Sequence, residues 1–220
     1  MATKKAAALD LIEIKPIEIQ QMTIKVVGDT PLIEHAWSEK AKKEMLDAQT
    51  GKAKIRKKQP KNPMEDFIRS MYWLTPMPEE MTEEAYADAI ANGARFGFPV
   101  TAFKQAAISA AYRMGWTKDK MSLRGAFFIE SDNRNLVEIH SEPPEMSEEM
   151  VKVGMGIADI RYRGKFNNWS ANLVLKINKN AGFTPEQIVN IINAGGFVCG
   201  IGEWRPERDG QYGMFHVEAS

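Results

Sequence analysis

The sequence predicts an α+β fold in which an antiparallel sheet is crossed by two helices in the order βαββαβ. Three observations carry that prediction. Ile17, Ile19, Met22, Ile24 and Val26 alternate as a strand does. Two segments starting at Thr101 and Thr184 carry helical spacing, and short alternating stretches lie between and after them. One face of such a sheet lies under the two helices and the other stays open, which is the ferredoxin-like, RRM-like arrangement.

The elements follow in order. Residues 1–16 read as a flexible N-terminal tail, and 17–220 as one domain with a helical, basic insertion at about 36–97. The first strand slips phase at Gln20-Gln21, as a bulge makes it slip, and Gly28-Asp29-Thr30-Pro31 ends it. Helical spacing returns from Ala36 to about Ala48, again from Met64 to Leu74 and, after Pro76 and Pro78, from Thr82 to Ala91. Pro99 and Thr101 open an alanine-rich helix that Gly115 closes, and its small side chains permit close packing on a sheet.

Phe127-Phe128-Ile129 and Leu136-Val137-Glu138-Ile139 flank Ser131-Asp132-Asn133 as a hairpin. A second hairpin pairs Ala158–Tyr162 with Trp169–Ile177 across Gly164–Asn168. Alternation sets Arg161 and Arg163 on the face opposite Ile160 and Tyr162, and so predicts a basic sheet face. The last helix has Thr184 as N-cap, Pro185 at its first position and Gln187 to complete a capping box. Met214–Val217 is the closing strand.

Composition excludes several classes. At 220 residues and 44% hydrophobic content the chain can bury a core. There is no apolar run of about 18 residues and no signal-peptide core, so the expectation is a cytoplasmic protein without membrane contact. Cys199 is the single cysteine, and His35, His140 and His216 are scattered. The sequence therefore predicts no disulfide, no metal and no cofactor, with Cys199 packed as a small apolar group.

Net charge is zero, but its distribution is uneven. Lys52, Lys54, Arg56, Lys57 and Lys58 sit in a basic run, whereas Glu79, Glu80, Glu83 and Glu84 form an acidic one. A flexible basic arm suits contact with phosphates without fixed geometry, and opposite patches on a neutral chain suit head-to-tail assembly. Lys104, on the alanine-rich helix, and Lys165, in the second hairpin, join Arg161 and Arg163 as candidate phosphate contacts.

Near the end, a helix runs into a loop with Gly200, Gly202, Gly210 and Gly213, with Trp204 and Arg205 between them, and then a strand. A dinucleotide or triphosphate fingerprint has the reverse order, strand, glycines, helix, so that phosphate meets the helix N-terminus. The order here argues against that reading. The helix, glycine loop and final strand resemble the signature loop of the RAMP superfamily, and the resemblance extends from about Ile17 to Val217: first strand ending in Pro31-Leu32-Ile33, basic insertion, alanine-rich helix, central hairpin.

The resemblance implies a non-catalytic protein of antiviral, CRISPR-associated type that binds single-stranded RNA and oligomerises along its guide within a ribonucleoprotein. The sheet face, the basic arm, Gly200, Gly202, Trp204 and Arg205 would hold the ligand. Aromatic rings beside cations are what single-strand binders use. The same features fit a phage-type single-stranded DNA-binding or annealing protein. They also leave open an RNA-processing endoribonuclease with His35 as its acid or base, and a protein-only interaction module.

Overall fold

The computed structural model describes residues 16–37, 39–51, 60–132, 134–153 and 157–219. Its elements are β1 (Ile19–Gly28), β2 (Leu32–Ile33), α1 (Glu39–Gln49), α2 (Pro63–Arg69), α3 (Glu83–Ala91), β3 (Phe96–Pro99), α4 (Val100–Arg113), α5 (Lys120–Arg124), β4 (Phe127–Ile129), β5 (Leu136–Ile139), β6 (Glu145–Val153), β7 (Ile157–Phe166), β8 (Ser170–Asn178), α6 (Pro185–Val198) and β9 (Phe215–Val217).

The central sheet has the order β4-β8-β1-β9, and every neighbouring pair is antiparallel. Taken in chain order with their helices, these elements run β1-α4-β4-β8-α6-β9. The second core strand thus lies at one edge, beside the third, and the fourth lies at the other edge, beside the first. This is the split βαβ order of a ferredoxin-like α+β fold.

Alternation explains why this sheet holds. On β8, Ala171, Leu173, Leu175 and Ile177 are fully buried, and on β1 Ile24 and Val26 join them. Lys25 and Lys176 point to the other face and pair with Glu218 at 3.0 Å and Glu130 at 3.3 Å. Each fully buried aliphatic side chain removes apolar surface worth about 1.5–3 kcal/mol from water. The phase slip at Gln20-Gln21 is not a bulge: the ladder from Ile19↔Asn178 to Val27↔Ser170 is continuous. Ile19 lies on the open side, 64% exposed.

Helices α4 and α6 meet almost backbone to backbone. A Cβ at Gly195 would lie 2.7 Å from the Ala107 backbone nitrogen, and one at Gly196 would lie 1.8 Å from the Phe215 carbonyl oxygen. The two glycines therefore sit inside the helix and do not cap it. Thr184 accepts from the Gln187 amide at 3.2 Å while the Gln187 side chain accepts from the Thr184 amide at 2.9 Å, so both halves of the capping box are present.

Both expected hairpins are corrected. Phe127–Ile129 pairs with β8, while Leu136–Ile139 pairs with β3. The segment Ala158–Tyr162 does not pair with Trp169–Ile177; β7 pairs with β6 from Val153↔Ile157 to Glu145↔Lys165 and with β2 at Leu32↔Phe166, in a separate sheet of order β2-β7-β6. Period-two patterning defines the faces of a strand but carries no information about which strand lies beside it. Among the described residues no helix is long and apolar enough to cross a membrane.

Candidate nucleic-acid interface

The site grows from the turn after β1. Glu34 donates its amide to the Gly164 carbonyl at 2.9 Å, and Ala36 donates to Ser70 at 2.7 Å, which pins the short segment between β2 and α1 against β7 and α2. The terminal loop is tied to the same segment. Glu203 donates its amide to the Ile33 carbonyl at 3.0 Å, and Gly213 donates to Pro31 at 2.8 Å. Gly202 has φ +79°, and a Cβ there would lie 2.6 Å from the Ile33 carbonyl oxygen, so the loop can approach β2 only with glycine at this place.

Three polar side chains meet where loop and sheet touch. His35 Nδ1 lies 2.8 Å from Glu203 Oε1. Arg163 Nη1 lies 3.0 Å from Glu203 Oε2, an ion-pair distance without hydrogen-bond alignment. Arg163 Nη2 lies 3.3 Å from His35 Nδ1; when that nitrogen donates to Glu203, this last contact is proximity alone. The hydrogen bond from His35 and the Arg163 charge hold the Glu203 carboxyl down to about 2. Burial pushes the Arg163 guanidinium the other way, below its ordinary value.

The face prediction for β7 is half upheld. Arg161 and Arg163 do share the face opposite Ile160 and Tyr162, yet this is not the open basic face expected of it. The Arg163 side chain is 2% exposed, whereas Ile160 is 41% and its cross-strand partner Met150 76% exposed. The terminal loop covers the arginine, and Glu203 compensates the buried charge, which otherwise costs several kcal/mol, of order 3–5 when a partner is removed.

A groove of about 430 Å³ opens beside this cluster, lined by Val151, Arg161, Arg163, Glu203, Trp204, Arg205 and Arg208. Arg161 and Arg208 make no ion pair among the described residues. Arg205 is committed to the loop itself: it donates to the Gly202 carbonyl at 3.0 Å and twice to Glu207 Oε2, at 3.2 and 3.0 Å. Trp204 has φ +52°, and every other non-glycine described residue with positive φ is Asn or Asp. That conformation costs a bulky side chain about 1–2 kcal/mol.

Among the described residues, the buried side-chain polar atoms without a hydrogen-bond partner are Glu34 Oε1, Arg163 Nη1 and Trp204 Nε1. Arg163 and Trp204, to which two of these atoms belong, line one groove. The third belongs to Glu34, a fully buried carboxyl that accepts from the Tyr72 amide at 2.8 Å and whose pKa burial pushes well up.

The remaining expected residues lie as follows. Lys52, Lys54, Arg56, Lys57 and Lys58 fall outside the described residues. Lys104 is not among the residues that line this groove; its ammonium donates to the Arg124 carbonyl at 2.8 Å and sits 3.7 Å from the centre of the Phe128 ring. Lys165 stands opposite Glu145 on the β7 face that carries Arg161. Gly200, with φ +62°, lines a second groove of about 250 Å³ with His35, Glu203 and Gly202. Sequence reasoning passed over Glu34, Glu203 and Arg208, although Glu34 adjoins His35 and Glu203 adjoins Trp204. Cys199 is buried, as expected, and its thiol is pushed up by burial.

No protein-family model matches the sequence, and no curated protein matches it. Among solved structures the chain is similar to Cmr6 from Pyrococcus furiosus, at 10% sequence identity and a TM-score of 0.36, over 91% of this chain and 99% of that one. The likeness is distant, and the fold assigned above rests on this chain's own strand order.

Proposed function

We propose that this chain is a non-catalytic, RAMP-type protein that binds single-stranded nucleic acid and assembles into an oligomer along it, with the ligand seated in the groove between β7 and the terminal loop. One observation carries the reading: a strained Trp204 and a covered Arg163, each with a buried donor that makes no hydrogen bond, share that groove with Arg161, Arg205 and Arg208. Guanidinium groups bind phosphate in a fixed fork, and an aromatic ring beside them accepts a base irrespective of sequence. The basic run Lys52–Lys58 enters this reading through its charge alone. RNA and DNA both fit it.

The test is fluorescence anisotropy of labelled single-stranded RNA and DNA across a salt series. The intact chain binds at low salt and weakens as salt rises. The double variant Arg161→Ala/Arg208→Ala lowers affinity for every sequence and flattens the log–log salt slope by about 1.4, at about 0.7 per phosphate contact on a single strand. An unchanged slope removes the groove from the interface.

A second reading, metal-independent RNA cleavage, is favoured by the His35–Glu203 contact, since a carboxylate that fixes Nδ1 leaves Nε2 as a base. Incubating the same RNA with the protein and a chelator separates the two. Intact RNA supports binding alone, and fragments lost in His35→Ala support cleavage.

A further inference from the structure

The sheet β2-β7-β6 ends on β6, and its outer edge is open. The neighbouring strand shows which groups lie on that edge. Gly164 of β7 turns its backbone away from β6: its carbonyl accepts from the Glu34 amide at 2.9 Å and its amide donates to Ser70 Oγ at 2.8 Å. The Ile160 carbonyl turns the same way, toward the Lys61 ammonium. In an antiparallel ladder a residue turned away from its neighbour stands opposite one that is turned away as well. Met146, Glu148 and Met150, opposite Gly164, Tyr162 and Ile160, therefore direct their amides and carbonyls outward. Among the described residues none of these backbone groups has a hydrogen-bond partner.

The register runs from Glu145 to Val153 without a bulge, and the strand holds no proline, so nothing in its backbone blocks a further strand. The face beside the edge is apolar and wet. Met150 is 76%, Ile160 41% and Met146 38% exposed, all on one side of the two strands. A row of free amides and carbonyls flanked by apolar side chains fits an added strand, which offers a matching row of its own. The carboxylates of β6 then select its register. A second copy of β6 can pair antiparallel about a two-fold axis with outward residues opposite one another. An axis at Glu148 or at Glu149 sets that carboxylate against its own copy, and an axis at Ser147 sets Glu145 against Glu149, which destabilises the pair. An axis at Met150 avoids all of these contacts. Met150 then meets Met150, Glu149 meets Val151, and Glu148 falls opposite position 152, which the sequence makes a lysine.

We infer that the outer edge of β6 is a self-pairing surface, at which two copies of this chain join their three-stranded sheets into one continuous sheet about a two-fold axis through Met150. The pairing forms without a ligand. It goes beyond the nucleic-acid reading and does not depend on it. It covers the most exposed of the large apolar side chains among the described residues and supplies partners to the outward amides and carbonyls of β6.

The experiment uses the full chain without nucleic acid. Light scattering after size exclusion, over a dilution series, gives a mass that rises with concentration toward that of two chains. Met150→Lys, which opposes two ammonium groups on the axis, holds the mass at one chain throughout. Met150→Pro does the same, since it removes an outward amide that the β6–β7 ladder does not use, and circular dichroism melting verifies that both variants fold. Crosslinking reads the register. About the Met150 axis the two copies of residue 150 have Cα atoms about 5.5 Å apart, within disulfide reach, whereas those of residue 148 lie about 14 Å apart. Under mild oxidation Met150→Cys therefore forms a covalent dimer and Glu148→Cys does not, with the unaltered chain and its buried Cys199 as the blank. A single-chain mass at every concentration overturns the inference. So does a dimer that persists in Met150→Lys, or a Glu148→Cys chain that crosslinks as readily as Met150→Cys. Each of those outcomes leaves the nucleic-acid reading standing, because the anisotropy series tests it separately.

Discussion

The central four-stranded sheet and the three-stranded sheet β2-β7-β6 use the same alternation to opposite ends. In the first, the apolar positions of β8 face α4 and α6 and the lysines face water. In the second, Arg163 is enclosed while Ile160 and Met150 are exposed. The difference teaches that periodicity assigns residues to faces, whereas the neighbouring chain decides which face is covered. In the central sheet two amphipathic helices supply the cover and select the apolar side. In the smaller sheet the cover is the polar terminal loop, which brings Glu203 and so selects the arginine.

The largest effect expected of this contrast is in the core. Trp169 is fully buried, packs against Phe103 and Phe215, and donates its indole N–H to the Thr30 carbonyl at 2.9 Å. Trp169→Ala destabilises the fold by about 3–5 kcal/mol in urea unfolding, the range for large-to-small core changes. A loss under about 1 kcal/mol would show that the central sheet is not the stabilising unit.

A smaller effect separates the two arginines of one strand. Arg163→Ala leaves Glu203 without its cation and costs about 2 kcal/mol, less than a fully enclosed pair because Glu203 keeps about a third of its side chain in solvent. Arg161→Ala costs within about 0.5 kcal/mol, as surface substitutions do. Equal losses in denaturant titrations of the two variants erase the distinction between the sheets.

The smallest effect is a pH dependence beneath the site. Glu203 is held down to about 2, below the unfolded carboxyl near 4.3, so its stabilisation is present above that unfolded value and is lost as pH falls toward about 2. Glu34 is raised, so the native state favours its protonated form and loses stability as pH rises from the ordinary carboxyl range through the raised value. Glu34→Gln removes the second dependence. Its melting temperature matches that of the unaltered chain near pH 4 and exceeds it at pH 8, by a gap that opens as pH rises. A gap that narrows as pH rises contradicts the assignment.

How much of this was legible in the sequence depends on how local the cause is. The capping box at Thr184 and Gln187 is built within four residues and was readable in full, as were the alternation of β8 and the βαββαβ order. The partner of β7 was not readable, because β6 lies beyond Pro143-Pro144 in a run, Glu145–Val153, that mixes charged and apolar residues without clean alternation. The glycine-rich loop was readable as a loop, but its tie to Ile33 joins positions 170 residues apart, so the place of Glu203 depends on a contact that no local pattern records. The predicted exposure of Arg163 failed for the same reason, since its cover comes from the far end of the chain.

The hydrogen bonds from Gly213 to Pro31 and from Glu203 to Ile33 carry a consequence for biosynthesis. A nascent chain can form the turn after β1 early, but the wall that encloses Arg163 is not available until residues past 213 have left the ribosome tunnel. Until then that guanidinium stands uncovered and uncompensated. The cover over Arg163 and the seating of β9 beside β1 therefore depend on one and the same segment, the last to emerge of those that build this fold.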